Sequence, residues 1–143
     1  MDTNQIRIQL LAEHTGLRAL IEEARSAIAR RLTHETADSR GLAGCIGRLA
    51  NALQAHNEHE ERLLKGFLAT VDAWGPARAE IMNERHAAEH KELHAELADS
   101  SLEPERAAAL LGRLLEHMEY EEQAFLNEDV LREDSIVINA FGG

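Results

Sequence analysis

The chain reads as an all-α protein, an antiparallel up-down four-helix bundle, and three features point there. Apolar residues recur at helical spacing through four long segments. Only two prolines and 3% aromatic residues occur in 143 residues, which suits long uninterrupted helices better than a β-sandwich. The breaks between segments carry residues that stop or start helices. A chain of this length can bury a real core, so it needs neither disulfides nor metal merely to fold.

The first helix is predicted from about Asn4 to about Arg31, with Ile6, Leu10, Leu17, Ile21 and Ile28 on one face. THETADSRG forms a loop into a second helix, from about Asp38 to about Val71. Its early turns contain Gly41, Gly44 and Gly47, which weaken it and let a neighbour approach closely. In AWGPARAE, Gly75 precedes Pro76, a residue suited to the first helical position, and a third helix follows to about Asp99. In DSSLEPERAAALL, Ser100 or Ser101 can cap and Pro104 opens a fourth helix, which continues to about Glu128. Short connections between helices of similar length favour the bundle, which is placed at residues 1–133. Residues 134–143, containing SIVINAFGG, form a short apolar tail that either covers one end of the bundle or contacts another chain, as a protein partner or by self-association.

A formal net charge of −11, without any run of Lys and Arg, opposes nucleic acid or an anionic membrane surface as a partner. No segment is apolar for long enough to cross a bilayer. MDTNQIRIQLLAEH lacks the basic, apolar and small-residue order of a secretion signal. The single cysteine, Cys45, precludes an internal disulfide and suits a reducing cytoplasm, where it reads as a small packing residue.

Histidine is the outlier, with eight in the chain. On helical wheels at about 100° per residue, His86 and His90 fall inside the stripe that contains Leu93 and Leu97, with His94 at its margin. His56 and Glu60 share the stripe of Leu49, Leu53, Leu63 and Phe67; His117 and Glu121 share that of Leu110, Leu114 and Phe125. His14 lies between Leu10 and Ile21. His59, Glu58, Glu61 and Glu122 point away from the core, and Tyr120 turns about 100° from Glu121. Any single inward histidine reads first as a hydrogen-bonded core residue. An inward carboxylate is harder to accommodate, because burying it unpaired costs several kcal/mol. Five histidines and two glutamates on four facing stripes, with no inward Lys or Arg, point to metal, which uses imidazole nitrogens and carboxylate oxygens as ligands. Seven ligands exceed what one first-row ion takes, and two ions sharing carboxylates use them all.

The Glu-x-x-His motif of ferritin-like bundles is absent; the repeated element is His-x-x-x-Glu, in HNEHE and HMEYE. With the histidine of LAEHTGLR and the His-x-x-x-His of HAAEH, one motif falls on each helix in order. In this the chain resembles the hemerythrin-like proteins of the HHE cation-binding type, over the span from His14 to Glu121. The resemblance implies two non-haem iron ions, oxo- or hydroxo-bridged. His86, His90 and His117 would bind one and His14 and His56 the other, with Glu60 and Glu121 bridging. It further implies an open position on the two-histidine iron for dioxygen or another small diatomic ligand. Oxygen carriers place an aspartate five residues after the last ligand histidine, whereas Glu121 follows His117 by four. The likeness is therefore to the HHE group, associated with oxygen or iron sensing and with peroxide and nitric oxide stress.

Three other readings use parts of the same sequence. HAAEH matches the His-x-x-Glu-His of a zinc protease family, with Glu89 as candidate base, but uses only two of the seven inward residues. A non-catalytic interaction bundle, with zinc or no functional metal, accounts for the apolar tail and leaves Glu60 and Glu121 unexplained. Di-iron catalysis, such as slow peroxide breakdown, would use the same ligands as binding alone. Glu13, Glu89 and Glu116 each precede an inward histidine and are read as solvated, with a role beside the ligand imidazoles as the alternative.

Overall fold

The computed structural model describes residues 3–33, 39–68, 76–99, 101–124 and 126. It is all-helical, with four α-helices and no strand among the described residues: α1 (Thr3–Thr33), α2 (Ser39–Leu68), α3 (Pro76–Leu97) and α4 (Pro104–Ala124). None of these helices is long and apolar enough to cross a membrane. Asp38, Val71, Gly75, Ser100, Phe125, Glu128 and the tail at 134–143 lie outside the described residues, as does the side chain of Phe67.

The helix ends follow from local chemistry. α1 runs past Arg31 to Thr33, whose hydroxyl bonds back to the Ala29 carbonyl at 2.8 Å. Arg30 and Arg31 in that last turn complement the negative end of the helix dipole. α3 stops at Leu97, short of Asp99. The Asp99 carboxylate accepts the backbone N–H of Ser101 at 2.9 Å and its hydroxyl at 2.7 Å, a local turn that competes with helix. Ser101 lies two residues before Glu103, the residue that flanks the helix start, and so does not occupy the capping position of α4. Instead the Glu103 carbonyl accepts the first helical bond, from Ala107 at 2.8 Å, and Pro104 takes the position where a missing N–H costs least. Glu105 in the first turn suits the positive end of the dipole.

Gly41, Gly44 and Gly47 do not serve close packing. Among the described residues, a methyl group at Gly41 or Gly47 would meet nothing within 4 Å, and at Gly44 only the Arg48 guanidinium at 3.6 Å.

Side-chain pairs tie the helices together. Followed from Gln9 through Glu13 to Glu23, α1 meets His59, His56 and Arg48 of α2 in turn. Arg7 donates to the Leu126 carbonyl at 2.9 Å and Arg18 to Glu122 at 2.7 Å. Along α3, Glu89 and Glu96 face His117, then Arg113 and Arg106 of α4.

Among the described residues the core divides into two apolar zones. The larger draws on every helix and includes Leu17, Ile21, Leu49, Leu53, Leu93, Leu97, Leu110 and Leu114. The smaller is Ile6, Leu10, Leu64 and Leu126, flanked by Leu63. Leu64, one residue beyond the predicted stripe position, is the fully buried member of that pair. Cys45 packs in the larger zone as predicted. His14, His56, Glu60 and Glu121 fall between the two zones in chain order, and His117 lies at the edge of the larger one, beside Met118.

Leu110 and Leu114 have no exposed surface, so truncation leaves a cavity in the packed interior. Leu110→Ala or Leu114→Ala should each lower unfolding free energy by about 2–5 kcal/mol in urea titration. Ile8, 56% exposed, should tolerate Ile8→Ala within about 0.5 kcal/mol. Equal losses at all three positions would contradict this core.

Candidate metal centre

All seven residues singled out by their helical phase are buried and meet at one level of the bundle. His14, His56, Glu60, His86, His90, His117 and Glu121 are each 5% exposed or less. Two groups form, each with ligand atoms mutually within 4.8 Å: His86, His90, His117 and Glu121, and His14, His56, Glu60 and Glu121.

The two carboxylates face both groups. Glu60 Oε1 lies 3.0 Å from His86 Nε2 and 3.6 Å from His90 Nε2. Its Oε2 lies 2.9 Å from His56 Nε2 and 3.4 Å from His14 Nε2. Glu121 Oε1 lies 3.3 Å from His117 Nε2 and 3.5 Å from His14 Nε2, while Oε2 contacts His86 Nε2 and stands 3.5 Å from His90 Nε2.

Every imidazole turns Nε2 inward, and the outer nitrogens of four meet carboxylates from a neighbouring helix. Nδ1 of His14 donates to Glu122 at 3.1 Å, Nδ1 of His56 to Glu13 at 2.8 Å and Nδ1 of His90 to Glu61 at 3.0 Å. Nδ1 of His117 stands 3.0 Å from Glu89, an ion-pair approach without hydrogen-bond alignment. A proton committed to Nδ1 leaves a lone pair at Nε2 of a neutral ring. The centre therefore gathers lone pairs with few hydrogens to share. His14 Nε2 and His56 Nε2 approach to 3.2 Å, and both Glu60 oxygens, His90 Nε2 and His117 Nε2 have no aligned hydrogen-bond partner among the described residues. Cations placed among them would satisfy these atoms, so the residues fit a metal. Imidazole with carboxylate suits iron, zinc and similar first-row ions.

Without metal, protons must play that role. Burial alone would lower the His14 and His86 pKa values, but the adjoining Glu121 and Glu60 outweigh it and raise both from 6.5 to about 10. His56 is raised against its burial chiefly by Glu60, and His117 chiefly by Glu121. Burial and the neighbouring carboxyl push Glu60 upward, yet His14, His56 and His86 hold it below its ordinary 4.5. Burial pushes Glu121 upward as well, yet the adjoining Glu60 carboxyl and the imidazoles of His117, His14 and His86 hold it well below 4.5.

The outer carboxylates only partly match the sequence reading. Glu13 and Glu89 do meet imidazoles, whereas Glu116 is exposed. Glu61 and Glu122, predicted to be solvated, are instead bonded to His90 and His14. Each neighbours an inward glutamate, which is the signal that could have identified it. Glu89, half exposed, meets the outer nitrogen of His117, a position that does not suit the general base of a His86–His90 zinc site. His59 is 24% exposed and bonds Glu13 at 2.7 Å. His94 lines a separate cavity of about 620 Å³ with Arg31, Gly47, Asn51 and Asp99. Tyr120 is 61% exposed, as its phase predicted, and His34 lies outside the described residues.

No protein-family model, curated protein or solved structure matches this chain.

The pKa directions fix the pH profile of metal-free protein. The raised histidines contribute stability that is complete below pH 6.5 and lost as pH rises toward about 10. The depressed glutamates contribute stability present above about pH 4.5 and lost as pH falls through their folded pKa values. Chelator-treated protein should therefore melt highest between about pH 4.5 and 6.5 and progressively lower from pH 7 to 10. A melting temperature that is flat or rises over pH 7 to 10 would contradict this.

Proposed function

We propose that this is a hemerythrin-like protein of the HHE type whose seven buried residues hold two iron ions. We infer that it binds dioxygen or a related small ligand, such as peroxide or nitric oxide, in sensing, storage or stress response. The observation that carries the reading is that Glu60 and Glu121 each face both histidine groups, as carboxylates shared between two ions would. His86, His90 and His117 are assigned to one ion and His14 and His56 to the other. Bound iron would supply the capacity to bind such ligands and exchange electrons with them.

The chain's own residues shape the rest of the account. Two carboxylates against five imidazoles make the centre poor in anionic ligands, which favours reversible binding over strongly oxidising chemistry. The His14–His56 side offers one fewer imidazole, leaving more room for an incoming ligand. A mostly apolar cleft of about 500 Å³ between α1 and α2 reaches His56, bordered by Gly16, Leu17, Leu20, Ala52 and Ala55. Such walls admit a small uncharged molecule more readily than an ion. An antiparallel up-down order is part of the proposal, supported by contact partners whose numbers fall on one helix as they rise on the next. A cytoplasmic setting agrees with the free, buried Cys45.

His117→Ala should reduce bound metal by at least half, measured by elemental analysis, while His94→Ala leaves it unchanged. Equal loss in both variants, or none in either, would contradict the ligand assignment. Zinc in place of iron would favour a helical interaction module instead.

A further inference from the structure

The four carboxylates outside the histidines form a closed circuit around the bundle. Glu13 of α1 meets His56 of α2, and Glu61 of α2 meets His90 of α3. Glu89 of α3 meets His117 of α4, and Glu122 of α4 meets His14 of α1. Each helix reaches its successor, and the last returns to the first. Each of these glutamates is also the immediate sequence neighbour of an inward residue: His14, Glu60, His90 and Glu121 respectively.

The direction of that one-residue step alternates. It is backward on α1 and α3 and forward on α2 and α4. On right-handed helices that run alternately up and down, a backward step on one and a forward step on the next rotate the same way about the bundle axis. Both amount to about 100°. All four carboxylates therefore lean in one sense, each across a helix interface. Glu116 supplies the contrast: it steps backward from His117 on α4, against this pattern, and is exposed.

Two members of the circuit are themselves held. Arg18 grips both oxygens of Glu122 at 2.7 and 2.9 Å. Glu13 accepts from His59 at 2.7 Å through its second oxygen, and His59 in turn meets Gln9 at 3.4 Å. Freely solvated glutamates would have no such backing.

We propose that Glu13, Glu61, Glu89 and Glu122 are positioning residues for the metal centre. Each keeps the proton of the neighbouring helix's imidazole on Nδ1 and aims Nε2 at the metal. Because every such contact crosses an interface, metal affinity depends on the relative placement of all four helices. The proposal rests on the metal-binding reading above.

The test is Co²⁺ titration of chelator-treated protein, followed by visible absorption, with each glutamate changed in turn to Ala and to Gln. Loss of an outer partner commonly weakens metal binding on the order of 10–100-fold, and that loss is expected for Glu13→Ala, Glu61→Ala, Glu89→Ala and Glu122→Ala. The Gln variants keep an oxygen that accepts from Nδ1 and should recover most of the affinity; Glu116→Ala should match wild type. In the zinc-loaded protein, NMR should show that Glu61→Ala removes the exchange-protected Nδ1 proton of His90 on the next helix and spares that of His56 on its own. Wild-type affinity in all four Ala variants, an equal loss in Glu116→Ala, or an effect on His56 instead of His90 would overturn the circuit and leave the metal reading standing. Failure of the wild type to take up Co²⁺ would overturn both.

Discussion

The structure turns on a convergence of lone pairs. Five imidazole Nε2 atoms and two carboxylates meet in the bundle interior with almost no surface exposed. In water such groups would be solvated; among apolar side chains they are not. Burying them without a counter-charge would cost far more than a domain's net stability can absorb. The four helices can pack in this way only if cations, as metal or as protons, occupy the middle. The raised histidine and lowered glutamate pKa values express that demand in the metal-free state.

The same demand explains the outward-facing chemistry. An imidazole offers Nε2 inward reliably only when its other nitrogen is spoken for. Glu13, Glu61 and Glu122 take Nδ1–H from the adjacent helix, and Glu89 stands at the corresponding place beside His117. A residue that orients a ligand on the next helix also pins that helix, so packing and ligand geometry reinforce each other. Arg18 and His59 extend the network toward the surface.

Much of this was legible because helical phase is a strong signal over long amphipathic segments. The inward placement of His14, His56, Glu60, His86, His90, His117 and Glu121 followed from their spacing to leucines and isoleucines, and all seven are buried. The helix starts at Pro76 and Pro104 were also readable from residue type. What phase misses is the neighbouring helix. Glu61 and Glu122 lie well off their own core stripes and so looked solvated; only the position of α3 and α1 beside them turns them into partners. The Asp99–Ser101 turn also escaped, since a serine shortly before a proline-led helix resembles a cap until the helix is seen to begin two residues beyond the flanking position it would need. The early glycines of α2 were read as close-contact points, yet among the described residues no partner lies close enough to require them.

The most direct measurement is the metal content of protein purified without added metal or chelator, with an absorption spectrum before and after exposure to air. About two iron ions per chain, with near-ultraviolet and visible charge-transfer bands appearing on oxidation, is the result this account predicts. Zinc, or no metal together with an intact helical fold and the same melting temperature after chelation, would contradict it.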